Sequence, residues 1–139
     1  MVEQVILNYW AILVAAIASF IVGALWYGPI FGKVWQKMMG FNPKSMKTIM
    51  NLTATQAMFV SFIMTLVASY VLAHFVDYLE VTSIISAIQL SFWLWLGIGI
   101  PLMLGSFLWE SKPFKLFLLN ASYRLVELII MTSILAIWI

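Results

Sequence analysis

The sequence has no cysteine, a single histidine and few charged side chains. Without cysteine, a disulfide framework, a thiolate metal site and a cysteine nucleophile are all excluded. Charged residues make up only 9% of the 139 positions and hydrophobic residues 65%, which is far more apolar than a soluble domain with one core. The composition therefore predicts an integral membrane protein.

Four long apolar stretches account for most of the chain. They cover about 6–27, 53–76, 84–108 and 116–139, and each is close to the roughly 20 residues that cross a hydrocarbon layer of about 30 Å. A soluble helix shows a polar face at the helical period, whereas these stretches are apolar nearly all round. We predict an all-α fold, an integral membrane four-helix bundle that forms a single domain over residues 1–139.

The charges between the predicted spans are sorted by side. The lysines lie between spans one and two and between spans three and four, at Lys33, Lys37, Lys44, Lys47, Lys112 and Lys115. The opposite side carries only the acids Glu3, Asp77 and Glu80. The positive-inside rule then predicts cytoplasmic lysine-bearing loops and extracytoplasmic termini. Because the basic residues flank the membrane, we expect no nucleic-acid partner.

The segment "LWYGPIFGKVW" at residues 25–35 marks the exit of the first span. Aromatic rings favour headgroup depth, and a proline cannot continue a helix because it lacks an N–H donor. The amphipathic run at 33–39 predicts a short interfacial helix in the first cytoplasmic loop. We assign five residues to corners and anchors: Trp26, Tyr27, Pro29, Trp35 and Trp109. A ligand or partner site formed by these aromatics is the alternative.

The fourth span carries polar residues that are costly in lipid. Asn120, Arg124 and Glu127 fall at i, i+4 and i+7 on one helix face, with Tyr123 beside them. A charge near the middle of the layer costs on the order of 3 kcal/mol, so Arg124 and Glu127 should face inward and pair. Gln89 in the third span is a candidate inward partner. The pair is either a structural lock or part of a binding or transport site.

Small residues and glycines also follow a regular spacing in the spans. The first span has Ala11, Ala15, Ser19 and Gly23 at intervals of four, which predicts close packing inside the bundle or along an oligomer seam. In the third span Pro101 removes a helical hydrogen bond, which predicts a kink.

The segments "GALWYGPIFGKVWQKMMG" and "GSFLWESKPFKLFLLNASYRLVELIIMTSILAIW" together resemble the family called domain of unknown function 1761. That family consists of small prokaryotic membrane proteins with four predicted spans. The resemblance therefore implies a multi-pass protein of the cytoplasmic (inner) membrane of a prokaryote. It supplies no activity and no catalytic residue.

Two function classes are compatible with these residues. One is a structural, accessory or assembly component of the membrane, and the other is an oligomeric protein that binds or transports a small solute or lipophilic ligand at the polar residues of the fourth span. Partners expected from the sequence are the lipid bilayer and either further copies of the chain or a larger membrane protein. No catalytic motif, metal spacing or cofactor fingerprint is present, so an enzyme of the soluble type is not indicated, and a membrane enzyme that acts on lipid-soluble substrates is a third alternative.

Overall fold

The computed structural model describes residues 7–39, 54–109 and 113–138, and these contain helices and no strand. The helices are α1 (Tyr9–Leu25), α2 (Gly32–Met39), α3 (Ala54–Tyr78), α4 (Ile84–Leu94), α5 (Ile100–Phe107) and α6 (Phe114–Ile137). Two π-helical turns, Trp26–Ile30 and Trp95–Gly99, join α1 to the α2 region and α4 to α5. Four segments are long and apolar enough to cross a membrane: Tyr9–Ile30, Thr55–Tyr78, Ile84–Phe107 and Phe114–Ile137. The predicted all-α, four-span fold is confirmed.

Helix α6 is the centre of the bundle. It contacts α1, α3, α4 and α5, and also the short amphipathic helix α2. It is the least apolar of the four candidate spans and the most buried, whereas the third span is the least buried. A central helix can carry polar side chains because protein, rather than lipid, surrounds much of it.

One half of the bundle contains the start of α1 and the end of α6, and apolar side chains pack together there. Its core consists of Ala11, Ile12, Ala15, Leu72, Ala73, Val76, Val81, Ala87, Met131, Leu135 and Ala136. Small residues on α1 and α6 let the helix backbones approach, and between α3 and α1 the Ser69 hydroxyl donates to the Ile12 carbonyl at 2.9 Å. We call this the apolar half. The other half contains α2, the first π turn and the start of α6, and we call it the polar half.

The first π turn corrects the expected end of the first span. Pro29 does not stop the helix but lies inside the turn, and the Phe31 N–H donates to the Trp26 carbonyl at 2.9 Å, five residues back. Proline lacks an N–H and crowds the preceding turn, and a widened turn accommodates both effects without breaking the helix. The first span therefore continues to Ile30.

The second π turn lies just before Pro101, in the region where a kink is predicted. Both π turns begin at a tryptophan that follows a leucine and have glycine two residues later, as "LWYG" and "LWLG". In both cases the tryptophan reaches α6. Trp26 packs with its ring centroid 6.0 Å from that of Tyr123, and the Trp95 indole N–H donates to the Ala121 carbonyl at 2.8 Å.

Candidate functional site

The Glu127 carboxylate joins α1 to α6 in the polar half. Its Oε2 accepts hydrogen bonds from the Tyr123 hydroxyl at 2.9 Å and from the Ser19 hydroxyl at 3.2 Å. The Tyr123 hydroxyl also lies 3.2 Å from the Ser19 carbonyl oxygen. Glu127 and Tyr123 are 8% and 6% exposed, and Ser19 is fully buried. We call these three residues and Arg124 the Glu127 network.

Arg124 forms the charged edge of this network. Its Nη1 lies 2.9 Å from Glu127 Oε1, and its guanidinium carbon lies 5.4 Å from the centroid of the Tyr123 ring. The two partners differ sharply in environment, because the Arg124 side chain is 54% exposed and the Glu127 side chain 11%. The acid is therefore enclosed by protein, while one side of the guanidinium faces outward.

An aromatic cluster covers the network on the side of the first π turn. The Tyr27 ring lies 5.3 Å from the Tyr123 ring and 5.6 Å from the Trp35 ring, centroid to centroid. The Tyr27 hydroxyl donates to Asn120 Oδ1 at 2.7 Å. These contacts bring together, through ring packing and one hydrogen bond, two segments that are far apart in the sequence.

Gly23 provides the space for Tyr123. A Cβ atom at position 23 would lie 2.5 Å from the Tyr123 hydroxyl oxygen and 3.1 Å from its Cζ. Ala11, Ala15 and Ser19 form a buried stripe on α1. At Gly23, the next position of this stripe, the missing side chain leaves room for Tyr123. Of the two predicted roles for this stripe, packing inside the bundle is the one that these contacts support.

We expect Gly23→Ala to lower the free energy of unfolding by about 1 to 3 kcal/mol, because overpacking forces Tyr123 out of its contacts. The measurement is thermal or denaturant unfolding in one detergent. Gly105→Ala is the matched control, since nothing lies within 4 Å of a Cβ at that helical glycine. That change should be neutral or slightly stabilising. Equal effects of the two substitutions would contradict the proposed fit.

The structure separates the sequence-predicted residues into two groups. Asn120, Tyr123, Arg124 and Glu127 come together with the anchors Trp26, Tyr27 and Trp35. Three others lie elsewhere on the surface: Gln89 is exposed on α4, Pro29 is exposed in the first π turn, and Trp109 is 89% exposed after α5. Gln89 is therefore not an inward partner of the polar residues.

Sequence reasoning did not identify two residues of the site as polar contacts. The spacing predicts Ser19 only as one small residue of a packing stripe, whereas its hydroxyl donates to Glu127. Trp95 donates to the α6 backbone where the small side chain of Ala121 permits close approach. A serine in an otherwise alanine and glycine stripe is the signal that identifies the first. The second has no such signal, since tryptophan is common throughout the chain.

A cavity of about 310 Å³ opens beside Asn120 between α5 and α6. Its lining combines the Asn120 amide and the Ser106 hydroxyl with the apolar side chains of Leu102, Met103, Phe107 and Phe117. A larger cavity of about 960 Å³ lies at the opposite end, near Asp77 and Glu80. No group of three or more metal-ligating side chains occurs among residues 7–39, 54–109 and 113–138.

Comparison with known families places the chain among proteins without an assigned activity. The model of the family described as protein of unknown function DUF1761 matches residues 10–136, nearly the whole chain. The chain belongs to the DUF1761 family. No curated protein and no solved structure matches it. The expected resemblance is thus confirmed, and the two segments that carry it meet in this DUF1761 chain where Trp26 and Tyr27 pack against Tyr123.

Proposed function

We propose that this DUF1761 protein is a structural or accessory component of the membrane that assembles with further copies of itself or with a larger membrane protein. The Glu127 network is the observation that carries this proposal. The carboxylate accepts hydrogen bonds from Ser19, Tyr123 and Arg124, and it is almost completely enclosed. Both oxygens of this carboxylate already accept hydrogen bonds from side chains of the same protein. We therefore assign Glu127 a role in stabilising the fold rather than in binding a substrate.

The proposed location rests on the charges that flank the membrane spans. We propose the cytoplasmic membrane of a prokaryote, with α2 and its Lys33 and Lys37 in the cytoplasmic interface and both termini outside. In this arrangement the polar half of the bundle lies toward the cytoplasm.

A second candidate function rests on the exposure of Arg124. Because 54% of this side chain is uncovered, the network can present a cation at its edge to a small solute or lipophilic ligand. Such a protein would act as an oligomer, because four helices alone enclose little volume.

The double variant Arg124→Leu, Glu127→Leu distinguishes the two functions. For a structural pair we expect a folded protein that keeps its assembly and its growth phenotype, since the double variant leaves no unpaired charge and its remaining cost is the lost acceptor of the Ser19 and Tyr123 hydroxyls. The readouts are cross-linking in native membranes and complementation of a deletion strain. A control double variant, Glu80→Gln with Lys115→Gln, removes one charge of each sign outside the network. A folded network variant that has lost complementation, with a normal control, would contradict the accessory function.

A further inference from the structure

The third span is the least covered of the four candidate spans. A smaller share of Ile84–Phe107 is buried than of the other three. The buried residues of α4 are Ala87 and Ser91, and neither the second π turn nor α5 contains one. Most of the surface of this span therefore faces away from the bundle in the part of the chain that the structure describes.

A line of exposed residues at intervals of four runs along the uncovered side. It consists of Ile85, Gln89, Trp93 and Gly97, and the next position, Pro101, is exposed as well. Residues four apart share a face of an α-helix but drift slowly round it, and the wider second π turn offsets this drift. We call Ile85, Gln89, Trp93 and Gly97 the outer face of the third span.

The Gln89 amide is the polar group on this outer face. It lies about 9 Å along the helix axis from the N-cap Ser83, and within the length of the candidate span. Its side chain is exposed, and it has no hydrogen-bond partner among residues 7–39, 54–109 and 113–138. Lipid tails offer no hydrogen bonds, so a polar group of another molecule would stabilise an amide at this depth.

Gly97 adds an unpaired backbone acceptor and open space to the same face. Pro101 has no N–H, so the Gly97 carbonyl four residues earlier lacks the donor that a regular helix supplies. A Cβ atom at position 97 would meet nothing within 4 Å. Another helix can therefore approach the backbone closely at this glycine.

We propose that a second copy of this chain covers the outer face, so that two third spans pack in parallel about a two-fold axis along the membrane normal. In the orientation proposed above every copy inserts the same way, and the axis then brings Gln89 opposite Gln89 at equal depth. A glutamine amide contains both a donor and an acceptor, so the two amides bond each other reciprocally. The helices cross at Gly97, where neither backbone carries a side chain.

This proposal rests on the proposed function, assembly with further copies of the chain, and names the partner and the surface. A self-complementary amide favours a second copy over a different membrane protein, because the symmetry itself supplies the partner group. The outer face includes no residue of the Glu127 network, so the fold of each copy is unchanged.

Analytical ultracentrifugation at several ratios of protein to detergent tests the surface. We expect a dimer for wild type, and about tenfold weaker association for Gln89→Leu because the reciprocal hydrogen bonds are lost. Gly97→Leu should be a monomer, because its side chain separates the helices. Gly105→Leu is the matched control and should dimerise like wild type, since this exposed glycine also has nothing within 4 Å of its Cβ but lies beyond the crossing point. Circular dichroism should show the same helix content in all three variants.

Cysteine cross-linking tests the same surface in native membranes, because the chain has no cysteine of its own. Ile85→Cys should form a disulfide-linked dimer on oxidation, since equivalent residues beside a two-fold axis come within disulfide reach. Phe75→Cys is the control and should form no such dimer, because Phe75 is exposed near the same end of the bundle but on α3.

Four results would overturn the proposal. A dimer that persists in both Gln89→Leu and Gly97→Leu would place self-association on another surface and would keep the proposed function. Equal cross-linking of Ile85→Cys and Phe75→Cys would indicate random collisions. Cross-linking of Ile85→Cys only to a different protein would assign the outer face to that partner, again keeping the proposed function. No association by either method would reject both the outer face and the assembly function.

Discussion

Glu127→Leu is expected to lower the free energy of unfolding by about 3 to 5 kcal/mol, because it removes the enclosed partner of the Arg124 charge. It also removes the acceptor of the Ser19 and Tyr123 hydroxyls. The measurement is equilibrium unfolding in a single detergent or in bicelles.

Arg124→Leu should cost clearly less than Glu127→Leu. The Arg124 side chain is 54% exposed and the Glu127 side chain 11%, and after loss of Arg124 the carboxylate keeps two hydroxyl donors. The difference in exposure thus predicts an asymmetry between the two single variants. Equal, small losses in both would contradict a buried pair and would indicate that the two side chains act independently.

Tyr123→Ala is the second change with a large expected effect, also about 3 to 5 kcal/mol, the usual cost of removing a buried aromatic ring from a core. Tyr123 is 6% exposed and packs against Trp26 and Tyr27. The loss of its ring should therefore separate the first π turn from α6. The measurement is thermal unfolding in one detergent.

Two comparison variants separate the parts of this effect. Tyr123→Phe keeps the ring and removes the hydroxyl, and it should cost about 1 kcal/mol, the net value of a typical hydrogen bond. Tyr9→Ala removes a tyrosine that is 69% exposed, and it should have little effect. A loss in Tyr123→Phe as large as that in Tyr123→Ala would contradict the importance of ring packing.

The sequence allowed the spans and the polar face of α6 to be predicted for simple reasons. Apolar runs of sufficient length have one stable form in lipid, which is the helix, and a spacing of i, i+4 and i+7 on a helix defines one face. The spacing alone therefore pairs Arg124 with Glu127, and the two side chains are 2.9 Å apart in the structure. Tyr123 could be placed beside them for the same reason.

The partners across helices could not be predicted in this way. A stripe of small residues has the same spacing whether it packs inside one chain or between chains, so the contact of Ser19 with Glu127 depends on which helix lies opposite. Gln89 is the opposite case. As a polar residue in an apolar span it is predicted to face inward, whereas in the structure it is exposed on α4. Pro29 is expected to end the helix, but it lies inside a π turn that continues the helix. The proline alone does not determine which of these two outcomes occurs.

The central claim is that Glu127 links α1 to α6, and a double-mutant cycle between Ser19→Ala and Glu127→Leu tests it most directly. The account predicts a coupling energy of about 1 to 2 kcal/mol for these groups in hydrogen-bond contact. Ser61→Ala provides the control cycle with Glu127→Leu, because Ser61 is exposed on α3. That cycle should give no coupling within error. Coupling of the same size in both cycles, or none between Ser19 and Glu127, would contradict the claim.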